Sequence, residues 1–140
     1  MKIKLMALFA LASLSGCSAT GDDYIRGQVP TVINHPVLGN LTVVERELLG
    51  PDANQNGIRD EIDIVISKLS AERKPDISLY ILQVTRGMII GSRGISTVLR
   101  EKSSTTVVSP TITDAEKIIY IDLVTNAAAR KAAFATWQGI

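Results

Sequence analysis

The sequence predicts an all-α fold, a small bundle of four or five helices, and three observations carry that expectation. Ile58, Ile62, Val65, Ile66 and Leu69 are separated by 4, 3, 1 and 3 positions, a helical stripe where a half-buried strand would need strict alternation. Two Thr-x-x-Glu capping boxes, Thr42 to Glu45 and Thr113 to Glu116, mark helix starts. There is neither a βαβ alternation nor an Asn-Gly turn between two strand-like runs. The chain of 140 residues is one domain's worth, and with aromatics at only 4% its core must be built from Ile, Leu, Val and Ala.

Taken in order, the first helix is expected over 42–49, opened by its capping box and stopped by Gly50-Pro51. The second runs over 60–73, with Asp60, Glu61 and Asp63 in its first turn and Lys68, Arg73 and Lys74 at its end, which suits the helix dipole. Pro75-Asp76 opens a third, with Ile77, Tyr80, Ile81, Val84 and Met88 along one side. Gly87, Gly91 and Gly94 follow at spacings of 4 and 3, which predicts tight helix packing or a kink near 91–94. Arg86, Arg93 and Gln83 exclude a membrane dimer motif here. Residues 103–110 read as a loop. A helix from 113 carries Ile118, Ile119, Ile121 and Val124, and a last Ala-rich helix beyond Thr125-Asn126 buries Ala132, Phe134 and Trp137.

The start of the chain reads differently. Met1-Lys2-Ile3-Lys4 is a short basic end, and the ten apolar residues Leu5–Leu14 are too few for a bilayer span of about 20. That is the shape of a secretory signal. Leu14-Ser15-Gly16-Cys17 resembles the lipobox of bacterial lipoproteins at all four positions. The resemblance implies cleavage before Cys17 and acylation of its sulfur and new amine. It also implies an outer-membrane destination, facing the periplasm, because Ser18 stands where inner-membrane lipoproteins carry Asp. Residues 1–16 are then the signal peptide, 17–40 a lipidated tether, and 41–140 the helical domain. Loss of Lys2 and Lys4 turns the formal charge of +1 into −1.

One segment carries recognisable chemistry. Asp52-Ala53-Asn54-Gln55-Asn56-Gly57-Ile58-Arg59-Asp60-Glu61-Ile62-Asp63 sets side-chain oxygens at positions 1, 3, 5, 9 and 12 of a loop, with glycine at 6. This is the ligand spacing of a twelve-residue Ca²⁺ loop, in which position 7, here Ile58, contributes its carbonyl. Ca²⁺ is hard and takes six to eight oxygens, and Gly57 permits the sharp turn such a loop needs. The expected metal ligands are therefore Asp52, Asn54, Asn56, Ile58, Asp60 and Asp63. The segment resembles the EF-hand family in the broad sense, and within it thrombospondin type 3 and dockerin-type loops. It is also similar to a block in uncharacterised Gram-negative lipoproteins. Three carboxylates among the ligands predict a weak site, with Kd of roughly 10⁻⁵ to 10⁻³ M. The plainer reading is a polar turn with Asx-turns and an Asp60 cap, which explains each residue singly and leaves their joint spacing unexplained.

Composition narrows the function classes. The 15 basic and 14 acidic residues nearly cancel and form no patch, against a nucleic-acid binder. One Cys and one His exclude an internal disulfide and any two-histidine site. His35, in Asn34-His35-Pro36, reads as a solvated loop residue. No G-x-S-x-G, P-loop or H-E-x-x-H is present, and Asp60, Glu61 and Asp63 lack the aromatic platform a glycosidase would want. Two readings stand: a non-enzymatic, lipid-anchored envelope protein with a structural Ca²⁺ loop, or a metal-independent module that binds another envelope protein. No small-molecule substrate is indicated.

Overall fold

The structure is a computed structural model that describes residues 31–102 and 111–139. The signal stretch, the Cys17 lipobox, most of the expected tether and the 103–110 loop lie outside the described residues. Val32–His35 (β1) and Gly39–Thr42 (β2) come first, followed by helices Val43–Leu49 (α1), Asp60–Ser67 (α2), Lys74–Ser92 (α3), Ile95–Lys102 (α4), Asp114–Val124 (α5) and Ala128–Gln138 (α6). These residues belong to a unit spanning Val32–Ile140. The described chain is thus mostly helical, with six helices instead of four or five, and with a small sheet that an all-α reading omits.

The hairpin is the main correction. β1 and β2 pair antiparallel, Val32 opposite Thr42 and His35 opposite Gly39, so the packed region begins well before residue 41. Its turn is not an Asn-Gly pair. Pro36, Val37 and Leu38 form a three-residue connection, and Gly39 follows at φ +79°, a conformation glycine adopts without steric cost. The imidazole of His35 completes the turn by accepting the N–H groups of Val37 and Leu38 at Nδ1, both at 3.1 Å. Only Leu41 of the two strands is buried, so hydropathy gave no alternation to read.

Both capping boxes form as expected. Thr42 Oγ1 accepts the Glu45 N–H while Glu45 Oε2 accepts the Thr42 N–H, and Thr113 and Glu116 repeat the exchange. α2 ends at Ser67, short of 73. The chain leaves it through a Lys68–Leu69 turn, and a second turn at 71–73 leads into α3. Ile58, Ile62 and Ile66 are buried and Leu69 packs on the core, whereas Val65 is exposed.

α3 is the central element. Ile77, Tyr80, Ile81, Val84, Met88 and Ile89 are all buried along it. It continues unbroken through Gly87 and Gly91, and the reason is a close crossing with α6. A Cβ on Gly91 would stand 1.9 Å from the carbonyl oxygen of Ala133, and one on Gly87 would stand 2.6 Å from the Trp137 ring. The helix ends at Ser92, and Gly94 two residues on sits at φ +102° before α4 starts, so the tight packing expected from the glycine spacing is found and the chain breaks within 91–94. In α5, Ile118 and Ile119 are exposed, and Tyr120 and Val124 are the buried residues. In α6, Ala133 replaces Ala132 as the buried alanine beside Phe134. No helix among the described residues is long and apolar enough to cross a membrane.

Candidate metal centre

α1 stops at Leu49 because Gly50 turns to φ +82° and gives its N–H to the Arg46 carbonyl at 2.9 Å. The 52–63 segment is then closed across its neck. The N–H of Asp60 donates to the Pro51 carbonyl at 2.8 Å, and Asp60 Oδ1 accepts the N–H of Ala53 at 2.8 Å. Within the loop, Asp52 Oδ1 accepts the N–H of Asn56 at 3.1 Å and Oδ2 accepts that of Gly57 at 2.8 Å. Gly57 sits at φ +84°, which favours glycine, and a Cβ there would also push against the end of the Leu82 side chain at 2.7 Å.

The candidate side chains of the loop centre meet at Asp63. Asn54 Nδ2 donates to Asp63 Oδ2 at 3.0 Å, and Asn56 Nδ2 lies 3.0 Å from both oxygens of the same carboxylate. Asp52 joins through the backbone of Asn56. Four of the six expected ligands, Asp52, Asn54, Asn56 and Asp63, are therefore linked in one network. Asp60 is turned to the Ala53 amide at the start of α2, and Ile58 buries its side chain in the core while its N–H donates to Asn56 Oδ1 at 2.8 Å. The seventh candidate, the lipidation residue Cys17, lies outside the described residues. Among the described residues no three His, Cys, Asp or Glu side chains are placed to hold a metal. The loop's centre instead combines carboxylates with two carboxamides, a hard, all-oxygen donor set once each amide presents its oxygen.

Two residues missed by the sequence reading fix this loop in the fold. The first is His35, expected to be solvated and found with a side chain only 10% exposed. Its Nε2 lies 2.9 Å from Asp52 Oδ2. Because Nδ1 accepts two backbone amides, the ring proton sits on Nε2 and is donated to Asp52. The second is Arg59, at loop position 8 and 4% exposed. Its guanidinium donates to the carbonyls of Leu123 at 3.0 Å and Val124 at 3.3 Å, to Asn126 Oδ1 at 3.2 Å and to Glu61 Oε1 at 2.7 Å. It thereby caps the C-terminal end of α5, where unpaired carbonyls and the helix dipole favour a cation.

The surrounding charges are arranged in the same sense. The hydrogen bond and charge of Arg59 hold the Glu61 carboxyl below its ordinary range. Burial, aided by the Arg59 charge, lowers Arg130, whose Nε donates to the Leu48 carbonyl at 2.7 Å and so ties α6 to the end of α1. On the hairpin side, Arg86 donates to the Val37 carbonyl and Arg93 to that of Asn40, which fastens the hairpin to α3.

Taken together, these contacts define a short helix–loop–helix unit, α1 to α2, clamped between a hairpin and the α5–α6 corner of a helical domain. No protein family, curated protein or solved structure matches this chain.

Proposed function

We propose that this chain is a non-enzymatic lipoprotein of the bacterial envelope, acylated at Cys17 and held at the periplasmic side of the outer membrane, whose 52–63 loop binds one Ca²⁺ as a structural element. The observation that carries the metal reading is the meeting of the Asn54 and Asn56 side chains at the Asp63 carboxylate, with Asp52 tied in through Asn56. Asp52, Asn54, Asn56 and Asp63 would hold the ion, with the Ile58 carbonyl and Asp60, a position that often acts through water, completing the set. The ion's role is to neutralise carboxylates drawn together at the start of α2. The imidazole of His35 has both nitrogens engaged, which leaves no free lone pair for a general base and favours a non-catalytic reading.

A second reading has its own support. The Asn54 and Asn56 amides already satisfy Asp63 without a cation, and Ile118 and Ile119 stand exposed on α5, as a metal-independent module for an envelope protein partner would require. Thermal melting in about 5 mM Ca²⁺ against chelator separates the two. A ligand bound only by the folded state at tenfold its Kd adds about 1.4 kcal/mol, a rise of several degrees in Tm. An unchanged melting curve rules out the Ca²⁺ reading. Fractionation of cells carrying Cys17→Ser tests the anchor, which predicts release from the membrane.

A further inference from the structure

The geometry points to His35 as a positioning residue of the calcium loop, one that fixes which oxygen of Asp52 faces the ion and thereby joins ion binding to the hairpin. This inference rests on the Ca²⁺ reading above. Asp52 Oδ2 receives two donors, the Gly57 N–H at 2.8 Å and His35 Nε2 at 2.9 Å, whereas Oδ1 receives only the Asn56 N–H at 3.1 Å. Oδ2 is thus committed to the protein and Oδ1 keeps lone pairs for a cation, so Asp52 is set to bind through one oxygen. The Asp52 side chain is only 3% exposed, so it cannot swing out to choose another arrangement.

His35 is itself locked. The Val37 and Leu38 amides both point at Nδ1, and they belong to the turn that Pro36 and Gly39 make possible. A carboxylate ligand, an imidazole and the backbone of a tight turn therefore form one hydrogen-bonded chain running from loop position 1 into the hairpin. Outer contacts of this kind orient a ligand and change metal affinity by roughly 10–100-fold when removed. The residues that build the chain are 17 positions apart in sequence and meet only in the fold.

The test uses full-length protein in detergent with CaCl₂ as the probe. His35 is the sole histidine, so its ring nitrogens give an unambiguous NMR signal. Wild type is expected to show the Nε2–H tautomer and to bind Ca²⁺ calorimetrically, with slower hydrogen exchange at the Val37 and Leu38 amides when Ca²⁺ is present. His35→Ala should weaken Ca²⁺ binding about tenfold or more. His35→Gln, whose amide nitrogen stands in place of Nε2, should restore most of the affinity even where both variants lower the Tm of the ion-free protein equally. A wild type that binds while His35→Ala binds equally well, or an Nδ1–H tautomer, overturns the role of His35 alone. A wild type giving no heat at all overturns the calcium reading beneath it.

Discussion

Replacing Arg59 by Met removes the guanidinium and keeps most of the buried stem. Four acceptors lose a donor: the Leu123 and Val124 carbonyls, Asn126 Oδ1, which keeps Arg130, and Glu61 Oε1, which keeps the Asn126 amide. Glu61 and Asn126 are exposed and recover water, so their loss costs little. The two carbonyls are the C-terminal orphans of α5, and one left without a partner costs about 1–3 kcal/mol. The expected destabilisation is therefore about 3 kcal/mol, which for a domain near 100 residues lowers Tm by roughly 10–20 °C. Arg59→Lys should recover only a minor part, because one ammonium cannot span acceptors that a planar fork reaches together. The assay is paired thermal and urea unfolding by circular dichroism. Lys117→Met serves as the control: its partner Asp114 is almost fully exposed, and the change should stay within about 0.5 kcal/mol. If Arg59→Met unfolds within about 1 kcal/mol of wild type, the loop is not pinned through its eighth residue and the clamp described above is wrong.

Gly91→Ala should destabilise by about 2 kcal/mol or more despite a helix-propensity gain near 1 kcal/mol, because its Cβ would meet backbone of α6 at 1.9 Å; a stabilised variant in a melting experiment refutes the close crossing. Glu45 is buried, which raises its pKa, but the hydrogen bonds from Arg93 and Thr42 outweigh this and hold its carboxyl below the ordinary glutamate range. Its stabilising contribution is thus present above the ordinary glutamate value and fades as pH falls through the lower folded value, so Glu45→Gln should be less stable at pH 7 and show a flatter acid limb. Asp63→Ala should abolish the Ca²⁺-dependent rise in Tm, which for a Kd of about 10⁻⁴ M and 5 mM ion is worth roughly 2 kcal/mol in wild type. A persistent rise in the variant would place the ion elsewhere.

What the sequence discloses, and what it hides, divides by distance along the chain. Thr42 with Glu45, Thr113 with Glu116, and Asp52 with Gly57 interact within five residues, so each leaves a spacing that can be read directly. The glycines of α3 show the same advantage, since their interval of 4 puts Gly87 and Gly91 on one face whatever helix crosses there. Ile118 and Ile119 show the limit of such reading. A run of apolar residues does not say which of its members face the core, and here Tyr120 and Val124 take the inward places while Ile118 and Ile119 stay exposed. His35 and Arg59 escape a reading of the sequence because the partners that bury them and tie them into the fold, Asp52 for the one and the end of α5 with Asn126 for the other, lie 17 and 64–67 residues away. Those two are also the residues that turn a polar loop into a fixed one. A twelve-residue segment with the right oxygens holds a cation tightly only if its carboxylates are already aimed before the ion arrives. In this chain a histidine of the hairpin holds the Asp52 carboxylate at one end of the loop, and an arginine seated on the end of α5 anchors the loop's backbone toward the other. On the proposed Ca²⁺ reading, affinity would be a property of the folded domain, and a peptide of residues 52–63 alone should bind far more weakly than the intact protein.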